Sequence, residues 1–392
     1  MNQSLLCPLL LWTLFLISSC GLRAAPPAPL TLAGSTMELS AGDFVDTKKG
    51  TVLDIEALIT SLAKTQVVYI GEIHTHVANH RMQQALIAAL YLKSPGLTIA
   101  MEMFDRSAQP ALDQWTTGVL SEKAFLTKVN WEENWGYPFR LYRPIFNFAK
   151  DKQLNMVGLN APRAIVKKIA RKGIAGLSDA DTHLIAGEID RKNQGYRAFL
   201  RKIYAEHNPR TIKDFESFYE SQLIWDETMA DSIATLLSST NDQNKIVVLA
   251  GNGHINYRVG IPQRAARRVP HRYATITSVP VNTTHRPIDR RIGDFIFVLP
   301  NEAPHPPHGR IGVLIRQAEG GVGMKILKVV PGGNAHRAGI LTGDILLAAN
   351  GSKTNDIESL HHAMAKKGPD HDILILRKGQ QVNIKLTIPK RK

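Results

Sequence analysis

An α/β fold, with a largely parallel sheet flanked by helices, a helical insertion and a small β-rich module at the end, is predicted by three features of this 392-residue sequence. Short apolar runs recur at Val67 to Ile70, Leu97 to Met101, Met156 to Leu159, Ile246 to Ala250, Ala274 to Val279 and Phe295 to Leu299, separated by amphipathic helical stretches. Strands spaced by helices imply βαβ units, and unbroken apolar runs imply strands covered on both faces. The interval from Ser178 to Ser238 carries apolar residues at helical spacing and no such run, which reads as a helical insertion or cap. In "LPNEAPHPPHG", Leu299 to Gly309, four prolines in eleven residues stop helix and strand alike, so a second module begins there.

Composition is ordinary for a globular chain, 44% hydrophobic and 21% charged. The excess of 48 basic over 34 acidic residues gives a net charge of +14 and favours an anionic contact such as lipid head groups, envelope polymers or an acidic ligand. Nucleic acid is disfavoured: no zinc-finger spacing, no interleaved aromatic and basic motif and no glycine-rich loop followed by Lys-Ser/Thr is present. Cys7 and Cys20 are the only two cysteines, so no structural disulfide is expected.

Leu5 to Ile17 is a 13-residue apolar stretch, too short to span a membrane comfortably and suited to the core of an export signal, although "MNQS" lacks the usual opening Lys or Arg. "ISSCG", Ile17 to Gly21, resembles a bacterial lipobox. That makes Cys20 the lipidation site and residues 1–20 the signal; Gly21 in place of an aspartate resembles the pattern of outer-membrane lipoproteins. Residues 21–44, rich in Ala, Pro, Gly and Ser, are expected to be a flexible tether, with a first domain at 45–300 and a second at 301–392.

The chemistry follows the strands. Gly71, Glu72 and His74 come after the first run, Glu102 after the second, Asn160 and Arg163 after the third, and Gly251, Asn252, Gly253 and His254 after the fourth. In an open parallel sheet these ends share one edge, where ligands bind. Glu72, His74, Glu102 and His254 are therefore a candidate cluster for a divalent metal such as zinc or manganese, or for acid-base chemistry without one. His76 and His80 are four apart and either chelate on one helix face or flank the cleft at a helix start. "WEENWGYPFRLYRPIF", Trp131 to Phe146, is either core packing or an apolar wall whose Arg140 and Arg143 pair ligand carboxylates.

Six ordered motifs, "YIGEIHTH" (69–76), "AMEMFDR" (100–106), "WEENWGYP" (131–138), "GLNAPR" (158–163), "QLIWDETMADSI" (222–233) and "VVLAGNGHINYRVGIPQR" (247–264), resemble the ChaN-like haem-binding lipoproteins of the group that includes Tiki, TraB and erythromycin esterase proteins. The resemblance implies an α/β domain with helical lobes, anchored by lipid and serving haem or iron uptake with an outer-membrane receptor. It also implies a homodimer enclosing two stacked haems, with a tyrosine on each iron and basic or His groups on the propionates. Tyr204, His207, Tyr142 and Arg143 are the candidates for that role. Enzymes of the same group imply an alternative, a metal-dependent peptidase or esterase using His74, Glu102 and His254.

"RIGVLI" (310–315) and "ILKVVPGGNAHRAGILTGDILLAANG" (326–351) resemble a bacterial PDZ domain, which takes a partner's C-terminal carboxylate on backbone N–H groups and adds the peptide as a strand. By that resemblance Arg310, Ile311, Gly312 and Val313 form the carboxylate loop, and the groove runs between that strand and a helix carrying His361 and His362. The function expected is a haem-binding outer-membrane lipoprotein of the bacterial envelope whose PDZ domain recruits a receptor or other envelope protein. The remaining alternative is an envelope scaffold or quality-control protein.

Overall fold

The computed structural model describes residues 29–206, 214–239, 244–283, 287–301, 311–318, 321–356, 359–360, 363–364 and 368–388. Cys20, and with it the lipobox, lies outside these residues. Eight strands form the first sheet: β1 (Phe44–Asp46), β2 (Thr51–Leu53), β3 (Val67–Glu72), β4 (Thr98–Asp105), β5 (Asn155–Asn160), β6 (Ile246–Gly251), β7 (Tyr273–Pro280) and β8 (Phe295–Leu299). Their order is β2-β1-β8-β7-β3-β6-β4-β5. The strands from β8 to β5 pair in parallel, and β1 and β2 add an antiparallel edge.

Alternation along the strands explains the unbroken apolar runs. Val68, Ile70, Val247 and Leu249 point into one core, with Leu86 and Phe146 of the helices Val77–Lys93 and Phe139–Asp151. Val67, Tyr69, Ile246 and Val248 point into the other, with Met229, Ile233 and Ile261 of the helices Phe215–Ser239 and Ile261–Arg268. A sheet with helices on both faces has no polar side to offer.

Two expectations are corrected. The tether ends earlier than residue 44: Leu30, Leu32 and Leu39 are buried against Val45, Ile296 and Val298, and Leu32 forms a bridge with Ile288. Alternating apolar residues in that stretch, not its Pro and Gly content, decide its fate. The insertion is only partly helical, with helices at Asp179–Thr182, Gln194–Glu206 and Phe215–Ser239, while residues 183–193 form no helix. Among the described residues no helix is long and apolar enough to cross a membrane.

The second sheet is antiparallel and contains β9 (Val313–Gln317), β10 (Met324–Val329), β11 (Ile345–Ala349), β12 (Ser352–Lys353), β13 (Asp370–Arg377) and β14 (Gln380–Thr387). Its order is β14-β13-β11-β10-β9, with β12 on β11, so among the described residues β9 is an edge. Met324, Ile326, Leu346, Leu360, Met364 and Ile373 share its core.

Candidate functional site

Chain order reverses around β3: the chain passes from β3 to β4 and β5, returns to β6 between β3 and β4, then crosses to β7 on the far side. Such a switch point opens a crevice beyond the carboxyl ends of the strands. Glu72 ends β3, Glu102 lies in β4 where its register with β5 breaks, and Gly251 ends β6. His254 follows in the short helix Asn252–Ile255.

Glu72 is 2% exposed and fully engaged. Its Oε1 accepts from Tyr142 Oη at 2.8 Å and lies 2.9 Å from His74 Nδ1, while its Oε2 accepts from Gln83 Nε2 at 2.7 Å. A carboxylate only accepts, so His74 carries its proton on Nδ1. Burial opposes ionisation of Glu72, but the His74 hydrogen bond and the nearby His80 bring its pKa below the ordinary value. Burial likewise opposes charge on His74, and Glu72 and Glu102 together overcome it and raise its pKa.

His254 sits between two carboxylates. Its Nδ1 is 2.5 Å from Asp226 Oδ1 and its Nε2 is 3.3 Å from Glu102 Oε1. Both ring nitrogens face carboxylate oxygens, a setting that favours the charged imidazolium. Burial disfavours that charge, yet Glu102 and Asp226 raise the His254 pKa well above its ordinary value. Burial also works against Glu102, but His254 and the Gly251 N–H, 2.6 Å from Oε2, hold its carboxyl at about 2. Asp226 is kept in place by Tyr196, whose hydroxyl donates at 2.6 Å.

Glycine at 251 is a packing requirement, because a Cβ there would lie 2.9 Å from His74 Cε1. The close approach lets His74 and Glu102 share one wall.

The cluster forms the floor of a cleft of about 1230 Å³. One wall is the helix Gln194–Glu206, presenting Phe199, Lys202 and Ile203; the rim beside it carries Tyr257, whose ring lies 5.5 Å from that of Phe199, with Arg258 and Arg291. Tyr257 and Arg258 both have left-handed backbones, with φ of 59° and 64°, an arrangement that costs energy in non-glycine residues and is often found at binding sites. Tyr137 reaches the floor, its ring centroid 4.9 Å from that of His74.

The structure thus brings together Glu72, His74, Glu102 and His254, and places others away from them. Tyr142 is fully buried with its hydroxyl committed to Glu72, so it belongs to the support of the floor and not to a ligand surface. Arg143 pairs with Glu122 at 2.8 Å, and the cleft lining excludes it. Tyr204, on the wall helix itself, packs its ring against Phe215 and Phe218 and does not line the cleft. His207, Arg310, His361 and His362 lie outside the described residues. His76 and His80 form no joint site: His76 Nε2 faces Pro300 O at 3.1 Å and His80 Nε2 faces His74 O at 3.0 Å. Arg163 turns to the Glu133 carbonyl, and Asn160 braces the Glu102 carbonyl at 2.9 Å.

Both ring nitrogens of His254, the expected metal ligand or base, face carboxylate oxygens here. Among the described residues no group of three or more His, Cys, Asp or Glu is arranged to hold a metal ion. Asp226, Tyr196 and Tyr257 were not anticipated. Asp226 had a signal: it is on the same helical face as Leu223, Met229 and Ala230, all buried, where an acid needs a partner.

In the C-terminal sheet Ile311 O and Gly312 O accept from Ala335 N and Val330 N, each at 2.8 Å, and Gly312 has φ of 84°. The turn leads into the edge strand β9 that begins at Val313.

Comparison with known proteins places these features. Residues 58–265 match the haem-binding uptake family ChaN of the Tiki superfamily, and residues 309–388 match the PDZ domain. The solved ChaN of Campylobacter jejuni, described with cofacial heme, is 21% identical over 65% of this chain and 95% of its own, with a TM-score of 0.52, a likeness of fold. The C-terminal part aligns with the HtrA-type protease AlgW with decapeptide, at 25% identity over 21% of this chain and 30% of that one, with a TM-score of 0.20. It also aligns with the HtrA3 PDZ domain bound to a phage-derived ligand, at 22% identity over 20% of this chain and 81% of that one, with a TM-score of 0.19. A comparison with curated proteins finds no match. The chain belongs to the ChaN family of haem-binding uptake proteins in the Tiki superfamily and carries a PDZ domain at its C-terminal end.

Proposed function

We propose that the protein carries haem in the cleft above the His74/His254 floor, as an outer-membrane lipoprotein in haem uptake, and that its PDZ domain recruits a partner in the envelope. The observation that carries this reading is the make-up of the cleft. At about 1230 Å³ it exceeds the roughly 300–1,000 Å³ of ordinary small-molecule sites, and it combines apolar walls with Tyr137, Tyr257 and the rim cation Lys202. Lys202 is flanked by Arg258 and Arg291, which pair with Asp294 and Asp289 and would reach a propionate by sharing or exchanging those partners. That set suits a flat macrocycle with two carboxylates, held by a phenol oxygen on ferric iron and by cations on the propionates.

Tyr257 is the first choice for the iron. Burial and Asp289 push its phenol up while Arg291 partly offsets them, so ligation through the oxygen releases a proton and binding tightens as pH rises. Haem is the cargo here, and the protein's own part is to shape the slot, supply the oxygen and neutralise the propionates.

The test is a hemin titration of unacylated protein. A saturable Soret shift, weakened and spectrally altered in Tyr257→Phe and less so in Tyr137→Phe, supports the reading. Absence of saturation, or an unchanged spectrum in both variants, sinks it. Lipidation rests on "ISSCG" alone: labelled palmitate should enter the protein and be lost in Cys20→Ser.

A hydrolytic reading draws on one observation, the orientation of His74 by Glu72, which leaves Nε2 beside Gly251 on the cleft floor. It needs His74 as a general base acting on water. Chelator-insensitive ester hydrolysis lost in His74→Ala would favour it over the carrier.

A further inference from the structure

We infer that residues 30–33, a strap laid beside the first sheet, together with Arg290 position the rim of the cleft, by clamping the turn on which Tyr257 and Arg258 rest. The inference rests on the reading of that cleft as the haem site and names what keeps its rim in shape.

Two short segments outside the sheet, Asn256–Arg258 and Arg290–Ile292, meet at the rim. Tyr257, Arg258, Asp289, Arg291 and Ile292 all line the cleft. Tyr257 and Arg258 carry left-handed backbones, which persist in non-glycine residues only where the surroundings hold them. Arg258 supplies part of that hold, donating to Asp294 and, through Nη1, to the Arg291 carbonyl at 3.2 Å. Asp294 in turn accepts from Thr275 N at 2.8 Å and Thr275 Oγ1 at 2.9 Å, which ties one end of the turn to β7.

The strap holds the other end. Leu32 pairs with Ile288 in a parallel bridge: Ile288 N donates to Thr31 O and Ala33 N donates to Ile288 O, each at 2.8 Å. Both side chains are buried in the cluster that contains Val45, Ile296 and Val298. Arg290 closes the clamp from the turn, its Nε donating to Ala33 O at 2.6 Å and its Nη1 to Thr47 O at 3.0 Å. Gly50 makes room for this guanidinium, since a Cβ there would stand 3.0 Å from Nη2.

Apolar packing alone would account for the buried Leu32. It does not account for Arg290, whose rigid fork joins the strap, the turn between β1 and β2 and the cleft rim through one side chain. A rim fixed before the ligand arrives leaves less to be ordered on binding, so a loosened clamp should show first in ligand retention.

The experiment compares the full unacylated chain with Arg290→Ala, Arg290→Lys, Leu32→Ser and a control, Leu112→Ala, which removes packing from a different core and touches no lining residue of the cleft wall. Three quantities are read: the rate of hemin release to an excess of haem scavenger, the melting temperature, and amide hydrogen exchange over residues 256–260 and 288–294. Release about fivefold faster or more is expected in Arg290→Ala and Leu32→Ser, with Arg290→Lys between them and the parent. Exchange in the two rim segments should quicken in the same order, whereas Leu112→Ala should lower the melting temperature with neither change.

Release and exchange unchanged in Arg290→Ala would overturn the inference, as would release that only tracks the melting temperature across all four variants. Should Leu32→Ser fail to fold, the two Arg290 variants decide the matter. If the parent chain takes up no hemin, the haem reading fails by itself, and exchange in the rim segments still judges the clamp.

Discussion

Glu72 and Glu102 are both buried carboxylates beside a histidine, yet their surroundings differ in a way that separates a working edge from a structural pin. Glu72 is held by a phenol and an amide as well as by His74, and His74 stays half-buried at the cleft. Glu102 depends on one backbone N–H and on His254, which is itself clamped by Asp226. Removing one partner of Glu72 leaves others in place. Removing His254 leaves two carboxylates buried with no cation between them.

The largest effect should follow from that difference. His254→Ala is expected to cost about 3–5 kcal/mol, because breaking a buried pair leaves uncompensated charge. In a domain of this size that lowers the melting temperature by roughly 10 °C. Differential scanning calorimetry checks it, and a loss below 1 kcal/mol would mean that the clamp contributes little.

Next comes the acid limb of Glu102. Its carboxyl is held at about 2 against an ordinary value of 4.5, so its stabilisation is present above pH 4.5 and is lost as pH falls from there toward 2. The amount at stake is about 3 kcal/mol. His254 has the opposite sign: its raised pKa gives stability that is full below its ordinary value of 6.5 and is lost as pH rises through the folded value. The pair together is strongest between about pH 4.5 and 6.5. Urea unfolding at a series of pH values should show the acid limb flattened in Glu102→Gln, and an unchanged slope would remove Glu102 from the account.

Tyr142→Phe comes third. It deletes one hydroxyl donor to a charged acceptor while keeping the ring that packs on Trp131 and His80, for an expected cost of about 1.5–3 kcal/mol. Equilibrium unfolding at neutral pH measures it, and a neutral result would show that Gln83 and His74 suffice for Glu72.

These residues differ in how far the sequence revealed them. The six apolar runs of the first sheet were legible because a doubly covered strand has no polar alternation to blur it, and the residues after three of them converge as the parallel order requires. The short edge strands β1 and β2 were not, since three residues each carry too little pattern, and the buried leucines at 30, 32 and 39 were masked by Pro and Gly around them. Asp226 and Tyr196 escaped notice because their meaning depends on which helix faces meet, a tertiary fact. Tyr142 was read as a ligand residue for the same reason: an aromatic next to an arginine gives no sign of which way it points until the helix Phe139–Asp151 is placed on the sheet.

The smallest effect on stability should be the most informative about function. His74→Ala leaves Glu72 with Tyr142 and Gln83 and lets cleft water take the place of a half-buried ring, so the expected cost is at the low end for a bond to a charged group, about 1.5 kcal/mol. Yet His74 lies on the cleft floor against Tyr137 and Trp135, where a ligand would rest. Paired thermal melts and hemin titrations of His74→Ala and His254→Ala should therefore cross: the first variant nearly as stable as the parent but altered in affinity or Soret position, the second strongly destabilised. If His74→Ala instead unfolds as readily as His254→Ala and the folded remainder binds hemin unchanged, both histidines are pins, and the cleft draws its ligand contacts from the walls alone.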